Sequence, residues 1–331
     1  MRHSKLPYLT LAVLIATGAA QASVFKDAQL QTLLDKDKTE ELERVAQTRL
    51  KQSPADTQAA VALALLAKDS GDDKRVEAGV HSMEQCLAQQ PKEAACHYAL
   101  GSLLGVQAMS ASMFKAMSLT GKIRDAFSRA LEIDPGFIEA RAALQQFYVM
   151  APSVAGGSIS KAGALAQEVR ESQPELAKLM RSRVLAQDGK LAEAERELLS
   201  FKPGDNAWLN NEWRQTCGSF GIGYLQDKQW AKAKSWYEQL QQLQPQAAWG
   251  AYGLGRVATE QGQFDEAVKL IERARGLEGA EQLPIDYRLG VALQGKGDKA
   301  QAKAAFERYI ASKRTNPRNL EDARKRLSSL G

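Results

Sequence analysis

Side chains suited to covalent or acid–base chemistry are few in this sequence. Its cysteines are Cys86, Cys96 and Cys217, and its histidines His3, His81 and His97. Cys86 lies five residues before Pro91 and Cys96 five after it, so the two thiols face each other across an expected inter-helix turn. In an oxidising compartment that placement allows a Cys86–Cys96 disulfide. The alternative is three buried free thiols acting as small apolar residues. There is no CxxC and no Cys/His spacing for zinc, so no metal ligand and no cofactor is expected. His81 and His97 have no nucleophile elbow, phosphate-cradling glycine loop or HExxH beside them. No catalytic residue and no enzymatic activity is therefore expected. His97 falls at a packing position of a helix, and Asp265-Glu266 follow a turn at Gly262, where they favour a helix N-terminus over an acid/base pair.

Three further groups could bind without reacting. Gly156-Gly157-Ser158 offers a backbone nest for an anion, against a simple turn in which Ser158 or Ser160 caps the next helix. The simple turn is the stronger reading. Met109, Met113 and Met117 recur every four residues, a spacing that reads as a core stripe and otherwise as a pliable apolar surface. All five tryptophans, Trp208, Trp213, Trp230, Trp236 and Trp249, fall in one short stretch. That concentration marks either a contact surface or, as the preferred reading, a locally aromatic core.

The elements that must position these groups are helical. Of 331 residues, 44% are hydrophobic and 7% aromatic, with Ala, Leu, Gln, Lys and Glu abundant. The net charge of +5 is spread along the chain, which reads as a solvated surface and not as a nucleic-acid footprint. Residues 1–22 have the pattern of a secretory signal peptide. Arg2 and Lys5 precede an apolar run from Leu9 to Ala20, and Ala20-Gln21-Ala22 places cleavage between Ala22 and Ser23. Export to the periplasm is the expectation from that pattern. No later stretch has the roughly 20 apolar residues that a transmembrane helix needs.

The clearest helical unit runs from Ala248 to Ala274, with Leu254-Gly255, Gly262, Ala267, Ile271 and Ala274 at small-and-apolar spacing. Gly255 lets the first helix touch the second, and Gly262 supplies the turn. The next unit repeats this with Leu289-Gly290, Leu293, Gly297, Ala302, Phe306 and Tyr309. The preceding one has Phe220-Gly221, Tyr224, Ala233, Tyr237 and Leu240. Upstream the pattern loosens. Arg181-Ser182 replaces the Leu-Gly pair, while Leu100-Gly101, Ile123, Phe127 and Ala130 frame a unit with extra residues between its helices. Pro54, Pro91, Pro135 and Pro174 each close a helix. The Lys202–Asn211 stretch is rich in Pro, Gly, Asp and Asn and reads as a loop or hinge. The expected order is thus 23–201 looser repeats with insertions, 202–211 hinge, 212–315 regular repeats and 316–331 a solvating cap.

On these residues the chain resembles the tetratricopeptide-repeat superfamily, most closely over 214–311. IRDAFSRALEIDPG, from Ile123 to Gly136, and FYVMAPSVAGGSISKA, from Phe147 to Ala162, resemble a subgroup of exported bacterial repeat proteins. The resemblance implies an all-α fold, a right-handed superhelix or α-solenoid of about seven helix-turn-helix repeats with a C-terminal capping helix. It also implies a concave groove lined by the first helix of each unit. The family's groove positions fall here on Tyr98, Gln146, Arg183, Trp249, Tyr252, Arg256 and Tyr287. Aromatic and arginine side chains are the usual anchors of such a surface. The Lys and Asn pattern with which some relatives clamp a C-terminal carboxylate is absent, since Tyr98, Tyr252 and Tyr287 occupy its positions. An adaptor or scaffold that binds a protein or peptide is therefore expected. The rival reading is a small-ligand receptor with a pocket near Met113 and Tyr148.

Overall fold

The computed structural model of the chain describes residues 24–202, 204–312 and 316–331. The expected leader 1–22 and the junction Ala22–Ser23 lie outside the described residues. The described residues form 17 α-helices and two short 3-10 turns, with no strand among them. The fold is all-α, a run of helical repeats of solenoid type. It divides into two compact units, up to Gly157 and from Ser158 onward.

The first unit holds α1 (Ala28–Asp35), α2 (Thr39–Gln52), α3 (Thr57–Lys68), α4 (Asp73–Gln89), α5 (Ala94–Ser110), α6 (Met113–Ile133) and α7 (Ile138–Met150). Aspartates start several of these helices by accepting backbone N–H groups. Asp27 caps α1, Asp56 caps α3 and Asp72 caps α4. Cys86 of α4 and Cys96 of α5 are joined by a disulfide, with Cα atoms 6.4 Å apart. Beside it, His97 Nε2 lies 3.0 Å from the Pro91 carbonyl oxygen, so this histidine ties down the turn. Gly101 accommodates Phe127, whose ring lies 2.7 Å from where a Cβ would stand.

The second unit holds α8 (Ile159–Glu168), α9 (Pro174–Gln187), α10 (Leu191–Leu199), α11 (Ala207–Gln226), α12 (Trp230–Leu243), α13 (Ala248–Glu260), α14 (Phe264–Arg275), α15 (Ile285–Lys296), α16 (Lys299–Ala311) and α17 (Pro317–Ser329). From α11 to α17 each helix packs on the next. The same glycine device recurs twice. A Cβ on Gly255 would stand 2.6 Å from Ile271, and one on Gly290 2.6 Å from Phe306. Gly262, at φ 72°, makes the left-handed step between α13 and α14 that an L side chain resists. Ala267, Ile271, Ala302 and Phe306 are fully buried as a consequence.

Two expectations need correction. Residues 207–211 are not part of a loop. Asn206 accepts the Leu209 N–H and so starts α11 inside the polar stretch. Met109, Met113 and Met117 are not core, because they and Phe114 stand exposed where α5 and α6 meet. Where Arg181-Ser182 replaces the Leu-Gly pair, Ser182 is fully buried and donates its hydroxyl to the Leu179 carbonyl at 2.7 Å.

Candidate functional site

Trp249, Tyr252 and Arg256 stand three and four residues apart on α13, which puts them on one helix face. The start of that helix is fixed from outside. Ala248 N–H donates to the Glu278 carbonyl and Glu278 N–H to that of Gln246, each at 2.9 Å. Trp249 meets Tyr252 edge-on, with ring centroids 6.5 Å apart, and the Arg256 guanidinium lies 5.9 Å from the Tyr252 ring. On α15, Arg288 lies 5.0 Å from the ring of Tyr287. The Tyr287 hydroxyl donates to Asp322 Oδ2 at 2.8 Å, which anchors α15 to α17.

Electrostatics set Arg256 apart. Burial, and after it the charge of Arg288, holds its guanidinium below its ordinary value, and the opposing pull of Glu260 is weaker. Arg256 is 9% exposed and forms no hydrogen bond or ion pair among the described residues. Burial also raises the Tyr287 hydroxyl, and its bond to Asp322 adds to that. Although burial alone would raise Asp322, bonds from Arg326 and Tyr287 hold it below the ordinary carboxylate range. Asp322 is thus an occupied anion, whereas Arg256 has only the weaker pull of Glu260 and no hydrogen-bonded carboxylate.

Three N–H groups on this face are buried without an acceptor: Trp249 Nε1, Arg256 Nε and Arg288 Nε. Buried donors are nearly always paired, and each one left alone costs about 1–3 kcal/mol. The other buried indoles differ. Trp213 donates to the Leu198 carbonyl at 2.8 Å and Trp236 to that of Cys217 at 2.9 Å. Trp213 also stacks on Phe201 and Trp236 on Phe220, so these two are core residues.

The remaining groove candidates serve other roles. Arg183 donates to Glu212 at 2.6 Å and to Thr216 at 3.1 Å, binding α9 to α11, with Nη1 left over. Tyr98, in the first unit, packs between Phe137 and Phe127, at centroid distances of 5.1 and 6.2 Å. Gln146, also in the first unit, is exposed, with Nε2 3.5 Å from Met150 Sδ. The anticipated small-ligand pocket has Met113 standing in solvent and Tyr148 buried edge-on against Phe147. Ser158 accepts the Lys161 N–H and so caps α8 just after the two glycines. Burial pushes the unpaired Cys217 thiol well up. Sequence reasoning missed Arg288. It follows the groove position Tyr287 by one residue, where the preceding repeat has Gly253, and only that substitution of Arg for Gly signals it.

Family models of the tetratricopeptide repeat match residues 224–282 and 287–316, which cover this site. No curated protein matches the chain in sequence. Among solved structures, yeast Tom70 superposes with a TM-score of 0.51 at 14% identity, over 98% of this chain and 67% of that one. A tetratricopeptide repeat protein from Parabacteroides merdae gives 0.43 at 15% identity, over 80% and 96%. A chain of the Cut9–Hcn1 hetero-tetramer of APC/C gives 0.44 at 13% identity, over 90% of this chain and 54% of that one, so this chain spans about half its length. Residues 224–282 and 287–316 thus carry tetratricopeptide repeats, and the chain as a whole has the helical-repeat fold. Its repeats are those of protein-interaction scaffolds, a class that is typically non-catalytic.

Proposed function

We propose that this protein is a non-enzymatic adaptor of the bacterial cell envelope that binds an acidic peptide segment along a groove formed by the first helices of its C-terminal repeats. The observation that carries the reading is Arg256, a nearly buried cation with no hydrogen-bonded counter-ion. Keeping a charge away from water is costly unless a partner compensates it. Arg288 adds a second cation, and Trp249, whose ring packs against Gly218 of α11, adds an unpaired donor. A carboxylate of the partner would answer the two guanidiniums, and the indole would take a peptide carbonyl. The leader pattern and the Cys86–Cys96 pair support an exported location.

The test replaces Arg256 and Arg288 with glutamine and compares recovery of envelope proteins by in-cell crosslinking and mass spectrometry. The expected outcome is loss of specific partners by about tenfold or more, since truncating a buried binding charge typically costs over 2 kcal/mol. Unchanged recovery with an intact circular-dichroism spectrum would count against groove binding.

A further inference from the structure

We propose that the tip of the α5–α6 hairpin docks this protein on an anionic lipid bilayer. The two helices pack together along most of their length, but burial stops short of the end. The last buried side chain of α5 is Leu104 and the first of α6 is Ile123. Between them Met109 is 82% exposed, Met113 79%, Phe114 91% and Met117 48%. Monomeric proteins rarely gather large apolar side chains on one projecting element unless something covers them.

The charges around the tip indicate what covers it. From Ala94 to Arg124 the sequence contains no Asp or Glu. Arg124 is paired with Asp125 at 2.7 Å, whereas Lys115 and Lys122 form no ion pair among the described residues. An apolar end with unpaired lysines behind it matches the layering of an anionic membrane surface. The Met and Phe side chains enter the acyl boundary while the long lysine stems carry their ammonium groups up to the phosphates. No helix among the described residues is long and apolar enough to cross a bilayer, so the contact is peripheral. A second copy of the chain fits less well. A symmetric tip-to-tip contact sets lysines against lysines with no carboxylate between them, and like charges brought together oppose association. This inference concerns the first unit and stands whether or not the groove of the second unit binds a peptide.

The test is co-sedimentation of the full chain with vesicles of phosphatidylcholine alone and of phosphatidylcholine mixed with phosphatidylglycerol. The protein is expected to sediment with the anionic vesicles, less so as salt is raised, and to stay in solution with the neutral ones. Met113→Ser with Phe114→Ser removes only exposed side chains, so the fold survives, and vesicle affinity is expected to drop about tenfold or more. Lys115→Glu with Lys122→Glu is expected to do the same. Lys269→Glu, at an exposed lysine in the second unit, is expected to leave affinity unchanged. Undiminished binding by the serine variant, or an equal loss from Lys269→Glu, would reduce the effect to general adsorption of a basic protein and overturn the proposal. So would light scattering that shows a dimer lost in the serine variant while vesicles bind neither form.

Discussion

The α15–α16 pair and the α5–α6 pair are built on the same contact and part company beyond it. In each, a glycine on the first helix receives a phenylalanine from the second: Gly290 takes Phe306 and Gly101 takes Phe127, with would-be Cβ distances of 2.6 and 2.7 Å. The helices of the first pair are 12 and 13 residues long, those of the second 17 and 21. The shorter pair buries what it has. The longer one extends past its contact and puts Met113 and Phe114 into water. The glycine contact therefore fixes where two helices meet but not how far they run, and surplus length is free to serve a surface.

The largest expected effect probes the shared contact. Phe306→Ala should cost about 3–5 kcal/mol, because the slot opposite is lined by Gly290, which has no side chain to fill the cavity. Phe127→Ala opposite Gly101 should cost as much if the two pairs share one device. Urea unfolding followed by circular dichroism measures both. A cost below about 1 kcal/mol in either would mean that the neighbouring helix collapses into the gap, and the equivalence would fail.

Next in size is the element that only the first unit possesses. Cys86 and Cys96 close a short loop, ten residues apart in sequence, at the turn into α5. Replacing both with serine, or reducing the bond, should destabilise the chain by about 2–3 kcal/mol in the loop-entropy account. Hydrogen exchange resolved by segment would show whether the loss stays within residues 24–157. Equal loss of protection throughout 158–331 would mean that the two units unfold as one, and their contrast would then be one of surface only.

These contacts were legible to very different degrees. The Leu-Gly pairs at 254–255 and 289–290 reveal themselves because a glycine at repeat spacing has one structural use, to let a bulky partner in. The stripe of Trp249, Tyr252 and Arg256 was legible as a shared face, since helical spacing alone guarantees that. Its electrostatic character was not, because the pressure on Arg256 comes from burial and then from Arg288 on a different helix. The methionines show the limit of periodicity. Spacing by four suggests one helix face for Met109, Met113 and Met117, but α5 ends at Ser110 and α6 begins at Met113, and spacing does not say whether a face meets protein or water. The polar stretch 202–211 misleads for another reason. Asn is both a loop residue and a good N-cap, and Asn206 acts here as the second.

The smallest expected effect carries an unusual sign. Arg256→Met keeps side-chain length and removes the charge, so the outcome turns on which of three terms dominates. The cation–π contact with Tyr252 favours the arginine, but its 5.9 Å separation lies at the edge of the range where such contacts count, so it contributes under about 1 kcal/mol. Against it stand the desolvation of the guanidinium and the proximity of Arg288, both of which push Arg256 toward losing its proton. Replacing a buried charge with a well-packed apolar side chain is often neutral or stabilising, by about 1–4 kcal/mol. Arg256→Met is therefore expected to raise the stability of the free protein by about 1 kcal/mol, read as a melting temperature some 2–4 °C higher, while it weakens partner recovery. A residue that improves the isolated protein by its removal is kept for what it binds. Arg124→Met at the base of the α5–α6 tip, where the guanidinium is half-exposed and paired with Asp125, should instead leave the melting temperature nearly unchanged. If Arg256→Met lowers it by a degree or more, the cation is already satisfied within the fold, and the α13 face loses its claim to be a site.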